Sequence, residues 1–536
     1  MDETHIAVRI NEGKLLQQLR YAFSNRYTIV TELMQNARRA GASYVVIEYN
    51  KKTETLTARD DGCGIDDFQK LFTFGESGWD EGTIADENAF GLGFTKSLYA
   101  AKHCTVSSKG HEISFATADA LAQKAILVTM ASPGNETIVK LAGVKLPELD
   151  RRMETLVIGF PIRVIYNSLE LMRPYALDCL DTIECSIGRV KLRGYAGSAD
   201  GEHASTAMLV FLQGFVVLDD ALCASTKNIV HLDSTLFQAR LPDRDALIDA
   251  TEQYSRIAAA LKEFWRRHLM QQKTALSEEL FTQRYFDAAE RWRLLDLFDD
   301  VPVLPGCLFN IISDYPYRHG QGNPDYLTQL EGVVTREAIE TGPLKLVELD
   351  DPHEANIAHW MFARARNWVV FDDPRLSKSH WIHSFVEQLD QAACEVDIDG
   401  ETARADLEGD WIEPTIVICA AYTIRLNDEA VRLTSDAMYW SNEMMVIVPP
   451  GDSSGRAAQQ VSNFIDDNDQ WLDGAQDHDT DALEDLIRLL RATDPVRALN
   501  SMLRELHLER YPSLRGKCFT LKVSEDADCH EIEWVA

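Results

Sequence analysis

Apolar residues in the first third of the chain follow two kinds of spacing, one typical of helices and one typical of strands. Over residues 26–40, apolar residues recur three and four positions apart, which predicts an amphipathic helix that ends before Gly41. Segments 44–49 and 55–58 instead alternate apolar and polar residues, as neighbouring strands of a half-buried sheet do. Three more strand patterns complete this part of the chain, at 104–108, 125–130 and 137–141. We therefore predict an α/β fold in which a mixed sheet carries helices on one face.

The patterns of the remaining chain are less regular. They predict a helix over residues 168–179, a buried strand near 208–217 and long helices between 246 and 300. Strand and helix patterns alternate beyond residue 313, which indicates a further α/β region. The acidic segment 466–485 predicts a solvated linker or an exposed loop, and two helices and a final strand at 519–523 follow it. These changes divide the chain into five regions, 1–150, 151–250, 251–312, 325–465 and 466–536.

Composition and charge narrow the class of protein. The chain has 536 residues, of which 45% are hydrophobic, and its formal net charge is -32. This charge disfavours direct nucleic-acid binding and binding to an anionic membrane surface. No apolar run has the length of a membrane span, and the amino terminus lacks the pattern of a signal peptide. The ten cysteines are scattered, so we expect reduced cysteines and a cytoplasmic location.

The first group of candidate chemical residues lies on the predicted helix over 26–40. Glu32 and Asn36 are four residues apart, so their side chains share one face of that helix. A carboxylate there can deprotonate a water molecule, and an amide oxygen can complete the coordination of a hard cation such as Mg²⁺. A solvated polar pair on a helix surface would give the same spacing.

The second group follows the strand pattern that ends near residue 59. Asp60 begins the sequence Asp-Asp-Gly-Cys-Gly, with glycines at positions 62 and 64. Gly62 and Gly64 allow a sharp turn and a close approach to a flat ligand. The carboxylate of Asp60 can accept a hydrogen bond from the amino group of an adenine. Taken alone, this pattern is also that of an ordinary turn.

The third group follows a glycine-rich and acidic loop over residues 75–89. It has the sequence Phe90-Gly91-Leu92-Gly93-Phe94, and a helix is predicted to start near its last residue. Glycine amides at a helix amino terminus can bind phosphate oxygens. The loop that precedes them has the composition expected of a lid that closes over a ligand.

Together the three groups resemble the GHKL superfamily of ATPases, which includes gyrase B, Hsp90, histidine kinases and MutL. The order, spacing and identity of the residues agree, and the resemblance covers roughly the first third of the chain. Within the superfamily, residues 23–37 look most like the corresponding helix of Hsp90. The resemblance implies a Bergerat-type α/β sandwich over 1–150 that binds ATP and Mg²⁺.

The resemblance also implies a role for each matched residue. Glu32 would be the general base for the attacking water, and Asn36 would be the Mg²⁺ ligand. Asp60 would bind the adenine amino group, with Gly62 and Gly64 leaving space for the base.

Residues 91–94 would meet the phosphates, and Thr137 would support the adenine through a water molecule. One residue departs from the pattern, because Asn88 stands where the superfamily usually has a further glycine. Asparagine tolerates left-handed backbone conformations better than most residues, so we expect the phosphate loop to be intact.

In gyrase, MutL and Hsp90 a small α/β transducer domain follows the ATPase domain and supplies a cation to the γ-phosphate. Region 151–250 is similar in position, and Arg244 is the first candidate for this cation, with Arg240 second. An arginine fork can bridge phosphate oxygens. Pairing of Arg244 with a neighbouring aspartate is the alternative role. Region 251–312 would then be a helical connector, and nothing in 313–536 indicates a reaction.

The leading functional hypothesis is Mg²⁺-dependent ATP hydrolysis that drives a clamp-like or chaperone-like cycle on an unidentified partner protein or complex. The arrangement of the chain is compatible with a homodimer formed through the amino-terminal regions. One alternative is a regulatory module that binds nucleotide without hydrolysing it. Another is a DNA-directed ATPase of the MutL or MORC kind, which the negative charge disfavours. A histidine kinase is the least favoured, because a phospho-accepting helical hairpin does not precede the motifs.

Overall fold

The computed structural model describes residues 14, 16, 26–73, 79, 93–198, 202–219, 227–240, 245–318, 325–342, 344–505, 507–523 and 530–535. The chain divides into two compact units, Met1–Leu297 and Phe298–Ala536. None of the helices in these described ranges has the length and apolar content needed to cross a membrane. The five-region division made from sequence remains a prediction.

The first unit begins with an eight-stranded sheet in the order β5-β4-β3-β6-β2-β1-β7-β8. Its strands are β1 (Tyr44–Asn50), β2 (Thr55–Asp60), β3 (His103–Ser108), β4 (His111–Ala116), β5 (Val128–Met130), β6 (Thr137–Ala142), β7 (Arg163–Tyr166) and β8 (Leu169–Glu170). Strands β1 and β7 are parallel, whereas β1 and β6 both run antiparallel to β2. The predicted mixed α/β fold is therefore confirmed.

Within the described residues, the helices that accompany this sheet are α1 (Thr28–Arg39), α2 (Thr95–Ala100), α3 (Thr117–Leu121) and α4 (Leu149–Leu156). The apolar face of α1 packs into the same core as the sheet, because Ile29, Val30 and Leu33 are buried together with Ile47 and Leu56. Burial of apolar area of this kind is the main stabilising contribution to such a layer. It also holds Glu32 in place, because that side chain is itself buried on α1.

The predicted helix over residues 168–179 is wrong. Its first residues form strand β8, and only Leu177–Cys179 make a short helical turn. Pro174 lies between these elements and prevents a continuous helix, since proline lacks the amide hydrogen and clashes with the preceding turn.

A second sheet completes the first unit, in the order β12-β11-β13-β10-β9. Its strands are β9 (Ile183–Cys185), β10 (Gly188–Lys191), β11 (Met208–Leu212), β12 (Phe215–Asp219) and β13 (Asn228–Leu232). Strands β11 and β13 are parallel and are buried along their whole length. Two helices follow, α5 (Ala250–Ala275) and α6 (Glu278–Arg291).

The second unit contains several small sheets. One has the order β16-β15-β19-β18-β20, another β22-β23-β27-β26, a third β21-β24-β25, and two have two strands, β14-β17 and β28-β29. The strands are β14 (Val303–Pro305), β15 (Phe309–Ile312), β16 (Leu327–Gln329), β17 (Val333–Thr335), β18 (Leu346–Glu348), β19 (Val369–Phe371), β20 (Val386–Gln388), β21 (Cys394–Asp399), β22 (Ala403–Asp406), β23 (Thr415–Ile418), β24 (Ala421–Leu426), β25 (Glu429–Leu433), β26 (Met438–Trp440), β27 (Met445–Val448), β28 (Cys518–Val523) and β29 (His530–Val535). The helices are α7 (Arg336–Thr341), α8 (Ile357–Arg366), α9 (Ala458–Val461), α10 (Asp473–Leu490) and α11 (Pro495–Glu505).

Helix α10 occupies much of the segment that was predicted to be an acidic linker, so that prediction is wrong from residue 473 onward. The buried carboxylate of Asp479 on this helix accepts hydrogen bonds from the backbone N–H groups of Asp410, Trp411 and Ile412 at 2.5–2.9 Å. One acidic residue thus holds the loop before β23 against α10. The composition of the segment could not reveal the role of Asp479, because composition does not distinguish a buried acidic residue from a solvated one.

Candidate functional site

Helix α1 positions the candidate base. Glu32 is almost completely buried, and its helix neighbours Ile29 and Leu33 belong to the hydrophobic core. Asn36 lies one turn further along and is partly exposed. The carboxylate and the amide therefore project from one face of the helix, as the four-residue spacing predicts.

A buried ion pair anchors Glu32. The Nζ atom of Lys96, in α2, lies 3.3 Å from Oε1 of Glu32, and both side chains are less than a tenth exposed. The backbone N–H of Lys96 donates to the carbonyl of Gly93, which places the turn after Gly93 beside α1. The sequence analysis assigned no role to Lys96. Its position two residues after the Gly-Leu-Gly-Phe motif was the available signal.

Gly93 lies directly against the same carboxylate. A methyl group added to Gly93 would come within 2.5 Å of Oε2 of Glu32 and 4.0 Å of Oδ1 of Asn36. Any larger residue would therefore fill the space between these two oxygens. Glu32, Asn36, Gly93 and Lys96 thus come together from two separate motifs of the sequence.

The candidate adenine site forms where β2 and β6 pair. Asp60 and Thr137 are directly opposite each other in the antiparallel register of these strands. The hydroxyl of Thr137 is 3.0 Å from the hydroxyl of Ser108 in β3, and Ser108 in turn accepts a hydrogen bond from the N–H of Ile65. The predicted residues Asp60 and Thr137 are therefore neighbours. Ser108 is an additional member that sequence reasoning missed.

Burial raises the pKa of the Asp60 carboxyl above its ordinary value, and the N–H of Gly62, which donates to Oδ1 at 3.0 Å, partly opposes this rise. Gly62 is confined, because an added methyl group would lie 2.5 Å from Cβ of Ala40. Gly64 has a positive φ of 78°, a conformation that glycine adopts at little cost. These two glycines are required by the turn that presents Asp60.

Phe94 packs edge-on against Phe72, with their ring centroids 6.0 Å apart. This contact anchors the carboxy-terminal end of the candidate phosphate motif, residues 90–94, in the core. The other predicted residues of the motif, Asn88, Gly91 and Leu92, lie outside the described residues, as does most of the predicted lid. Arg244, the first candidate for the cation, also lies outside them.

The second candidate, Arg240, is exposed and pairs with Asp245 at 3.0 Å. Another cation of the second sheet shares a cavity with Glu32. Lys227 immediately precedes β13, is almost completely buried and pairs with Asp219 at the end of β12. Lys227 and Glu32 line one cavity of about 370 Å³. A lysine directly before a strand that contains Ile229, Val230 and Leu232 was the sequence signal for Lys227, and the sequence analysis did not use it.

Helix α1 and the second sheet are also joined by a hydrogen bond. The amide nitrogen of Gln35 donates to the side-chain oxygen of Gln213 over 2.5 Å. Gln213 lies in the turn between β11 and β12 and has a positive φ of 53°. Because Gln35 directly precedes Asn36, this contact connects the second sheet to the helix of the candidate base.

Comparison with known proteins agrees with this geometry. Residues 24–133 match a family model described as histidine kinase-, DNA gyrase B-, and HSP90-like ATPase. The match spans all three motifs and ends before Thr137. No curated protein matches the chain. Residues 24–133 are therefore similar to the ATPase domains of the GHKL superfamily, which suggests ATP binding.

Proposed function

We propose that this protein binds ATP with Mg²⁺ and hydrolyses it, and that the hydrolytic cycle changes its conformation on a partner protein or complex. The observation that supports this most is the convergence of Glu32, Asn36, Gly93 and Lys96 beside the amino end of α2. A general base, an oxygen ligand and a glycine close to a helix amino terminus are the groups that phosphoryl transfer to water requires.

Each residue has a distinct role in this proposal. Glu32 orients the attacking water and accepts its proton. Asp60 accepts a hydrogen bond from the adenine amino group, and Thr137 supports the base through water. The glycine motif over residues 91–94 binds the phosphates.

Oε2 of Glu32 and Oδ1 of Asn36 both lie near Gly93, and oxygen atoms are the ligands that Mg²⁺ prefers. Asn36 would hold Mg²⁺ there, and the ion would neutralise phosphate charge when bound.

The second sheet supplies the cation that responds to the γ-phosphate. We favour Lys227, because it and Glu32 line the same cavity, over the exposed Arg240. Arg244 remains the alternative that the sequence suggests. The hydrogen bond between Gln35 and Gln213 would carry changes at the nucleotide into the second sheet.

Two finer features of the proposal come from the resemblance alone, a closer relation to Hsp90 than to the other GHKL branches and pairing of two amino-terminal regions. Lid closure rests also on the composition of residues 75–89, and a cytoplasmic location rests on the scattered cysteines. The partner is a protein or complex rather than nucleic acid, since the net charge of -32 opposes binding to a polyanion.

The test measures ATP binding and ATP hydrolysis for the wild type, Glu32→Gln and Glu154→Gln. Glu154 is exposed on α4 and serves as the matched control. We expect Glu32→Gln to bind ATP and to lose hydrolysis by at least about a hundredfold, while Glu154→Gln behaves as the wild type. Binding without turnover by the wild type would favour the regulatory alternative. Absence of ATP binding would refute the assignment of the pocket.

A further inference from the structure

The cavity of about 370 Å³ that Glu32 and Lys227 share lies between α1 and the second sheet. Thr28, Thr31 and Gln35 line it from α1, and their three- and four-residue spacing places them on one face of that helix. Among the described residues of the three nucleotide motifs, Glu32 alone lines the cavity. The cavity therefore adjoins the candidate base but is separate from the candidate adenine site.

The wall that the second sheet contributes is apolar. Leu209 and Ile229 are buried in this sheet, and Ile158, Tyr175 and Val216 pack against the same hydrophobic cluster. All five of these side chains line the cavity. Cavities of about 300–1,000 Å³ with a mainly apolar lining are those that bind small molecules. The apolar part of a small organic molecule would be removed from water against this wall.

The cavity opens beside α4, where its lining residues Arg152 and Thr155 are exposed. The guanidinium of Arg152 lies over the ring of Tyr27, with its Cζ atom 4.6 Å from the ring centroid. The hydroxyl of Tyr27 in turn donates a hydrogen bond to the carbonyl of Pro147, just before α4. The tyrosine ring thus holds a positive charge at the entrance.

The charges around the cavity determine which ligand it suits. The other charged residues that line it are held in ion pairs, Glu32 with Lys96, Lys227 with Asp219, and Asp245 with Arg240. Arg152 forms no ion pair within the part of the chain that the structure describes. A ligand that carries one negative group can therefore form charge-assisted hydrogen bonds with Arg152, whereas a positive group would be repelled.

We propose that this cavity binds a small apolar monocarboxylic acid, whose apolar body lies against the second sheet and whose carboxylate pairs with Arg152. The bound acid fills the cavity that Glu32 and Lys227 share, and it lowers the rate of ATP hydrolysis without displacing the nucleotide. This regulatory effect rests on the proposed function, because it assumes that Lys227 approaches the γ-phosphate. The binding of the acid does not depend on that assumption.

The first test is calorimetric titration of the full-length protein with octanoate in the absence of nucleotide. Val216→Phe places a larger side chain in the cavity, whereas Leu218→Phe adds a ring in the same strand at a residue that does not line it. We expect the wild type and Leu218→Phe to bind octanoate at one site with a Kd below about 1 mM. Val216→Phe should bind it at least about tenfold more weakly, because its ring fills the site.

A second pair of variants tests the carboxylate and does not disturb the interior. Arg152→Gln removes the charge at the entrance, and Arg151→Gln removes that of an exposed neighbour that does not line the cavity. We expect Arg152→Gln to weaken octanoate binding about three- to fivefold, as for a solvent-exposed ion pair, and to leave 1-octanol binding unchanged. Arg151→Gln should bind both compounds as the wild type does.

Three calorimetric results would overturn the proposal. They are the absence of one-site binding by the wild type, equal octanoate affinity of Val216→Phe and Leu218→Phe, and equal octanoate affinity of the two arginine variants.

Hydrolysis is measured separately. Saturating octanoate should lower the wild-type rate at least about fivefold at unchanged ATP affinity, and it should not alter the rate of Val216→Phe. A parallel loss of ATP affinity would place the acid in the nucleotide pocket and overturn the site. An unchanged rate would overturn the regulatory role. A wild type that does not hydrolyse ATP would refute the proposed function, while the calorimetric test of the cavity would stand.

Discussion

Lys96 Nζ lies 3.3 Å from Glu32 Oε1, with both side chains almost wholly withdrawn from solvent. The two residues are 64 positions apart and belong to separate helices, α1 and α2. A carboxylate buried at this depth needs nearby positive charge or hydrogen-bond donors. Lys96 supplies charge on one carboxylate oxygen, while the other oxygen faces Gly93 and Asn36. The candidate base is thus held by a lysine on the helix that follows the phosphate motif.

Removing this lysine should destabilise the first unit. We expect Lys96→Met to lower its free energy of unfolding by about 2–4 kcal/mol, because a buried carboxylate loses an adjacent cation. The double variant Lys96→Met/Glu32→Gln should lose clearly less than the sum of the two single variants. Urea denaturation gives the free energy of unfolding of the wild type, the two single variants and the double variant. Lys140→Met, at an exposed lysine of β6, is the control. Additive losses would mean that the two side chains do not interact in solution.

A methyl group at Gly93 should impair hydrolysis. In Gly93→Ala the new carbon would lie 2.5 Å from Glu32 Oε2, so the carboxylate must move. We expect at least about a tenfold lower hydrolysis rate, since displacement of a base by about 1 Å has effects of that size or more. Gly134→Ala is the control, because no atom lies within 4 Å of its added carbon. Equal rates for the two variants would exclude Gly93 from the catalytic site.

The sequence predicted the local elements of the site well. The helix expected over residues 26–40 is α1, Thr28–Arg39, because its apolar spacing matches a single buried face. The turn glycines Gly62 and Gly64 were recognisable because their conformation and close packing admit little else.

Contacts between distant segments were not predictable in the same way. The contact of Ser108 with Thr137 depends on the β3–β6 register, and the position of Asp60 opposite Thr137 depends on the β2–β6 register. One sequence determines neither register. Lys96 and Lys227 were missed because a buried lysine resembles an exposed one in the sequence. The helix predicted over 168–179 failed for a local reason, Pro174, that outweighed its apolar spacing.

The Asp60 carboxylate should lower the free energy of unfolding at neutral pH, and it should be required for ATP binding. Burial raises its pKa above the ordinary 3.8, so the folded protein retains a proton that the unfolded chain releases. The protonated Asp60 carboxyl contributes its full stabilisation of the folded state below pH 3.8. This contribution is lost as the pH rises through the pKa of Asp60 in the folded protein.

We therefore expect Asp60→Asn to raise the unfolding temperature at pH 7 by about 1–3 °C, with a smaller difference near pH 4. The same variant should bind ATP at least about tenfold more weakly. Its amide oxygen would accept from the Gly62 N–H, and its NH₂ group would then meet the adenine amino group, donor against donor. Thermal unfolding from pH 4 to 7.5 and titration with a fluorescent ATP analogue test both statements. Unchanged ATP affinity would place the adenine elsewhere.

Replacement of Lys227 should lower the rate of ATP hydrolysis without changing the affinity for ADP. Lys227 is buried in an ion pair with Asp219, and it lines the same cavity as Glu32. In the proposed cycle its ammonium group would exchange Asp219 for the γ-phosphate, which ADP lacks. We expect Lys227→Met to reduce ATP hydrolysis at least about tenfold and to leave ADP affinity unchanged, because the interaction develops with the transferred phosphate. Lys191→Met, an exposed lysine of β10 in the same sheet, should match the wild type in both measurements. Normal hydrolysis by Lys227→Met, together with loss of hydrolysis in Arg244→Met, would move the role to the arginine that the sequence suggested first.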